Sequence, residues 1–196
     1  WAGFYARELG DDGAGAELSE QALRIAQSND EPVGQAAALS GLAMDARIRG
    51  DNTGALAHGA RIRALAERAD LPWRIAWTDN HDGLALLADG DLEGAAAVTD
   101  DSLRGFAELG DRRATGWAVT ALAQIALESG EYEESIDRAS EALAISREAG
   151  DGRNATWALE LASEAALLAG DQEAAERYGR EAARWLEERG MPASPW

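Results

Sequence analysis

Gly130-Glu131-Tyr132 starts a helix directly behind another, and the same glycine-acid step recurs as Gly10-Asp11, Gly50-Asp51, Gly90-Asp91 and Gly170-Asp171. The period is 40 residues. A glycine just past a helix end takes the left-handed backbone that closes it, and the acidic residue after it can cap the free N–H groups of the next helix. Each step therefore reads as a tight turn between antiparallel helices. Repeated at this period, it describes a stack of helical hairpins, each burying its apolar stripe on its neighbours.

The joints between these steps halve the period. Gly110-Asp111 and Gly150-Asp151 repeat the same chemistry, while Asp30-Glu31-Pro32 and Asp70-Leu71-Pro72 read as an N-cap Asp with proline in the first turn, where its missing N–H costs nothing. The spacing predicts first helices over 31–49, 71–89, 112–129 and 152–169, and second helices over 52–68, 92–109, 132–149 and 172–189. Before them, Trp1 to Leu9 reads as the tail of a helix and Gly10 to Gly15 as a turn into a helix over 16–28. The expected organisation is a partial hairpin at 1–28, repeats at 29–69, 70–109, 110–149 and 150–190, and a proline-bearing tail at 191–196 that leaves the stack. The start at Trp1, without Met and partway into a helix, is expected of a piece of a longer chain.

Composition narrows the function classes. Hydrophobic residues make up 46% of the 196, enough to bury one face of every helix despite a formal charge of −18. That charge, with no basic run, argues against nucleic acid or an anionic membrane as partner. All 18 basic residues are Arg, which fits a GC-rich genome or adaptation to salt. With no Cys there is no disulfide framework or thiolate site. The apolar stretches are broken well short of a membrane span and no signal peptide is present, so a cytoplasmic location is expected.

Aligned by the period, the second helices place small residues at Ala55, Ala95, Ser135 and Ala175, and again at Ser102, Ala142 and Ala182, with Ile62 as the exception. The first helices carry Leu39, Val119 and Leu159, then Leu42, Leu122 and Ala162, then Gly83 and Ala123. In these columns the chain resembles the tetratricopeptide repeat (TPR) family, with small residues at the family's aromatic sites, Ala126, Ala139, Gly59 and Gly179, and a period longer than the plain motif. Leu109 to Arg113 and Gly116-Trp117-Ala118 look like the long repeats of MalT-like and AfsR-like bacterial regulators. The resemblance implies an all-α, right-handed superhelical solenoid that binds a protein or peptide. It further implies the sensor or interaction arm of a bacterial transcriptional regulator or signalling ATPase; the residue patterns make no case for catalysis, and no cofactor is expected.

Trp77, Trp117 and Trp157 stand at one position of successive first helices. By the resemblance this column and the next turns face a peptide-holding groove, formed by Trp77, Asn80, Leu84, Trp117, Thr120, Gln124, Trp157, Glu160 and Glu164, with Ser40 and Met44 at its N-terminal end. Stacking and side-chain hydrogen bonds would hold an extended segment there, or the indoles simply wedge between hairpins. Glu160 and Glu164, one turn apart, would favour a basic segment of the partner, or else form a solvated face.

Asp79 and Asp82 occupy columns that are mainly apolar elsewhere, and Thr99 and Ser102 stand where Ala139 and Ala142 do. Buried carboxylates need pairing, protonation or water. The sequence points to a polar cluster of Asp79, Asp82, Thr99 and Ser102 closed by Arg63 or Arg74, the alternative being a ligand or metal pocket of Asp79, His81 and Asp82. His58 and His81 match no metal or nucleophile pattern and are expected at the surface. Gly10, Gly13 and Gly15 lack the strand and the Lys-Ser/Thr of a phosphate loop and read as turn. Two further readings remain open: a structural spacer or self-association module that dimerises through its open N-terminal end, and a small-ligand sensor or enzyme built on the aspartates.

Overall fold

The computed structural model describes residues 12–188, with side chains from 15 to 187. The helix tail expected at Trp1 to Leu9 and the tail at Met191 to Trp196 lie outside the described residues. Within them the elements are α1 (Asp12–Ser28), α2 (Pro32–Ile48), α3 (Asn52–Arg68), α4 (Pro72–Ala88), α5 (Leu92–Glu108), α6 (Arg112–Glu128), α7 (Tyr132–Ala149), α8 (Gly152–Leu168) and α9 (Gln172–Glu188). No strand occurs among the described residues. From α2 onward the helix ends fall within a residue or so of the positions set by the repeat. The first is different: α1 begins at Asp12, so Gly13 and Gly15 are helical and do not form the expected turn.

The joints show why the period is so regular. At the end of α2 the Asp51 N–H reaches the Ala46 carbonyl at 2.9 Å and the Gly50 N–H reaches that of Arg47 at 2.9 Å, the paired bonds of a left-handed C-terminal cap. The Asp51 side chain then accepts the Gly54 N–H at 2.9 Å and caps α3. One residue thus closes one helix and opens the next, and Asp91, Asp111, Asp151 and Asp171 cap their helices in the same way.

Three joints differ from expectation. Glu131 is the N-cap of α7, but its side chain makes no capping bond. Asp30 and Asp70 are not N-caps; they occupy the left-handed position, at φ 50° and 52°, where the other joints have glycine. Glu31 and Leu71 are the N-caps, and neither side chain makes a capping bond. Aspartate tolerates this backbone better than most residues, and Pro32 and Pro72 supply the helical first turn.

The chain divides into two compact units, 1–105 and 106–196. In the first, α2 packs on α3, α4 packs on α3, and α2 also touches α4. Its core joins Ala36, Leu39, Ala43 and Ile62, with Leu23, Leu42, Leu65 and Trp77 against them. In the second, α7 packs between its neighbours α6 and α8, which also touch. Ala123, Leu127, Ala139, Leu161, Ala162 and Ala165 form its core, covered by Tyr132, Ile136, Trp157 and Tyr178. Alanine-rich faces bring the helices close, and the aromatic rings fill the remaining space. Among the described residues no helix is long and apolar enough to cross a membrane.

Candidate functional site

In the C-terminal unit the first helices α6 and α8 present Trp117 and Trp157, both half-buried. Trp117 donates its indole N–H to Asp151 Oδ2 at 2.8 Å, and Arg113 Nε reaches the same oxygen at 2.8 Å while its guanidinium lies 5.7 Å from the Trp117 ring. Phe106 meets the indole edge-on at 6.5 Å. Burial pushes the Asp151 carboxyl up, but hydrogen bonds from Trp117, Arg113 and the Asn154 backbone outweigh it and hold the group below the usual carboxylate range. Trp117 is therefore fixed in one orientation with part of its surface accessible. Trp157 packs on Leu161 and the alanine core.

The neighbouring positions divide. Gln124 and Glu160 are half-buried and Glu164 is exposed, so they can meet a partner. Thr120 cannot, contrary to the expected groove lining: it is fully buried, donating to the Gly116 carbonyl at 2.9 Å and accepting from Asn154 Nδ2 at 2.9 Å.

In the N-terminal unit Trp77 is half-buried, its ring 4.0 Å from that of His81 and 5.7 Å from the Arg74 guanidinium. Asn80 and Leu84, also expected in the groove, are buried at 5% and 8% exposure and face the packing. Ser40 is buried as well, accepting from Arg74 Nη1 at 3.2 Å, and Met44 is half-buried.

The expected polar cluster separates into two parts. Asp79 is ion-paired with Arg63, and Asp82 lies 3.8 Å from the same guanidinium. Burial pushes both carboxyls up against the opposing pull of Arg63, Asp82 to about 7 with the Asp79 charge reinforcing the rise. Room for Asp82 comes from Gly59 on α3, where a Cβ would stand 2.2 Å from the carboxylate. Ser102 and Thr99 turn instead to the backbone of α4: Ser102 donates to the Ala76 carbonyl at 2.7 Å, and Thr99 Oγ1, without a partner, fills the space left by Gly83. Arg63 closes the carboxylate pair and Arg74 does not.

His81 does not join the aspartates, so the pocket of Asp79, His81 and Asp82 is not assembled. Nor is His81 a surface histidine. Its ring lies on Trp77, its Nδ1 is buried without a partner, and burial, with the Arg47 charge nearby, lowers its pKa to about 3. No group of His, Asp or Glu among the described residues is arranged to hold a metal ion. Sequence reasoning missed Asp151, Asn154 and Arg47. For Arg47 a signal was present, since Leu87, Leu127 and Leu167 stand at its position in the other hairpins.

No protein-family model matches the sequence, and no curated protein matches it. Solved structures do match. BtubC (BKLC) from P. vanneervenii is similar at TM-score 0.75 and 18% identity, covering 99% of this chain and 81% of that one. Nearly identical TPR-like repeats described as those of a Podosopora anserina kinesin light chain are similar in two structures. The first has TM-score 0.68 at 14% identity, covering 96% and 92% of the two chains. The second has TM-score 0.65 at 14% identity, covering 95% and 92%. The fold is that of an all-α solenoid of TPR-like helical hairpins.

Proposed function

We propose that this chain is a protein- or peptide-binding module whose recognition surface in the C-terminal unit is the accessible face of α6 and α8. Trp117 supports this most directly: a large aromatic side chain held in one orientation by Asp151 and Arg113 and still half-accessible loses little freedom on binding. Trp157, Gln124, Glu160 and Glu164 complete the surface, and the carboxylates favour a segment with basic residues. The repeat units are 29–69, 70–109, 110–149 and 150–190, and the module serves as the interaction arm of a bacterial regulator or signalling ATPase.

Panning the immobilised chain against a random peptide display library tests the reading. Enrichment of Lys/Arg-bearing sequences, lost on Trp157→Ala and shifted away from basic residues on Glu160→Gln/Glu164→Gln, is the expected result. A library that enriches nothing on the parent chain, with helical circular dichroism intact, overturns it.

A further inference from the structure

We infer that α2 and α4 of the N-terminal unit form a binding site for an oxyanion, a carboxylate or phosphate group, with Arg74 and Arg47 as its cationic ends. This site has the opposite charge preference to the surface proposed on α6 and α8, and stands independently of it.

The chain holds 36 acidic residues against 18 basic ones, so a guanidinium readily finds a carboxylate. Arg63 pairs with Asp79, Arg112 with Glu148, Arg113 with Asp151 and Arg147 with Glu181. Burial lowers the pKa of both Arg47 and Arg74, whereas the bond to Asp79 raises that of Arg63, and no carboxylate among the described residues forms an ion pair with Arg47 or Arg74. Ser40 and two indoles compensate Arg74 in part, Arg47 Nε is buried without a partner, and an added anion would supply the counter-charge that both lack.

The local geometry is that of a receptor. The Arg74 guanidinium lies 5.4 Å from the Trp73 ring and 5.7 Å from Trp77, and one of its N–H groups is given to Ser40 Oγ at 3.2 Å. A guanidinium carries five N–H donors in a planar fork that matches the two oxygens of a carboxylate or phosphate. Arg74 is half-buried, and none of its nitrogens is both fully buried and without a partner. Trp77, three residues on, carries the His81 ring at 4.0 Å, and His81 Nδ1 and Arg47 Nε are both buried without partners. Arg74, Trp77 and His81 follow helical spacing on one face of α4, and the charge of Arg47, from α2, is felt at His81. A neutral imidazole can donate one N–H to an anion beside Arg47.

Repeat packing does not demand these side chains. At the Arg74 position the other hairpins have Gly34, Ala114 and Asn154; at that of His81 they have Gly41, Ala121 and Leu161; at that of Arg47 they have Leu87, Leu127 and Leu167. One pair of hairpins has replaced mainly small and apolar residues by three nitrogen-bearing side chains beside two indoles.

The test titrates the full chain with inorganic phosphate and, separately, with a synthetic Asp/Glu-rich peptide and its Asn/Gln counterpart, followed by calorimetry and by the indole N–H resonances of Trp73 and Trp77. Saturable binding of phosphate or the acidic peptide, weakened roughly tenfold by Arg74→Gln or Arg47→Gln and unchanged by Arg112→Gln, supports the site. Binding of phosphate alone assigns a free anion, and binding of the acidic peptide alone assigns a polypeptide carboxylate. Should either variant fail to fold, movement of the Trp73 and Trp77 resonances in the parent chain carries the decision. Absence of binding, equal binding of the neutral peptide, an equal loss on Arg112→Gln, or unmoved indole resonances overturns it.

Discussion

Trp117 and Asp151 are joined at 2.8 Å, indole N–H to carboxylate, across the contact of α6 with the start of α8. Asp151 also caps α8 through the Asn154 N–H at 3.2 Å and takes Arg113 Nε at 2.8 Å, so one buried carboxylate fixes the aromatic surface and the helix start together. Because its pKa is held below that of an unfolded aspartate, the stability it contributes is present above about pH 4 and is lost as pH falls through the folded value. Asp151→Asn should cost about 1–3 kcal/mol at pH 7. Urea unfolding at pH 7 and pH 3 should show the gap between parent and variant closing in acid; an equal gap at both would assign the effect to shape alone.

Asp82 has the opposite sign. Burial pushes it up to about 7, so the folded chain holds its proton more tightly than the unfolded chain does. Its contribution is favourable at low pH and declines as pH rises from about 4 through 7. Asp82→Asn should leave stability near that of the parent at pH 3.5 and raise it at pH 8.5 by roughly 1–2 kcal/mol, allowing for the part of the side chain that water reaches. Thermal melts at the two pH values decide. A variant less stable than the parent at pH 8.5 would mean that the attraction to Arg63 at 3.8 Å outweighs desolvation.

Gly83 and Thr99 are complementary in size. A Cβ on Gly83 would stand 2.1 Å from Thr99 Oγ1 and 3.2 Å from the Ala95 carbonyl. The corresponding residues of the next hairpin, Ala123 and Ala139, share one buried cluster. Gly83→Ala alone should therefore cost roughly 1–3 kcal/mol through overpacking, and Thr99→Ala in the same chain should recover most of it. Chemical denaturation of the two single variants and the double variant measures the coupling; additive losses would place the strain at the Ala95 backbone.

The hairpin order was legible because glycine, aspartate and proline act locally: Gly50 closes α2 and Asp51 caps α3 whatever surrounds them. The same local reasoning misplaced Asp30 and Asp70, since an aspartate beside a proline resembles a cap, and only the bonds from Glu31 to Ala26 and from Leu71 to Ala66 reveal its left-handed role. The Arg63 link to Asp79 was legible as one of two options, because a buried carboxylate needs a cation and few were near. What was not legible is which side of a first helix meets its neighbour. Asn80, Leu84 and Thr120 follow the same helical spacing as the tryptophans, and a shift of one position around the helix separates an open face from a closed one.

Asn154 ties three helices together at the beginning of α8. Buried at 4% exposure, it directs Nδ2 at Ser146 Oγ (2.7 Å) on α7 and at Thr120 Oγ1 (2.9 Å) and the Gly116 carbonyl (3.1 Å) on α6. An amide has two hydrogens for these three acceptors, so one is shared between Thr120 and Gly116, which are themselves bonded at 2.9 Å. Asn154→Ala leaves Ser146 without this donor and should cost about 1–3 kcal/mol. Asn154→Asp should cost more at pH 7, because a carboxylate offers oxygens to groups that also present oxygens and adds a buried charge. Protonation restores a donor, so the Asp variant should recover stability between pH 7 and pH 4 while the Ala variant does not. Urea midpoints for the two variants at pH 7 and pH 4 test this; parallel behaviour would show that the amide fills space and its hydrogen bonds contribute little.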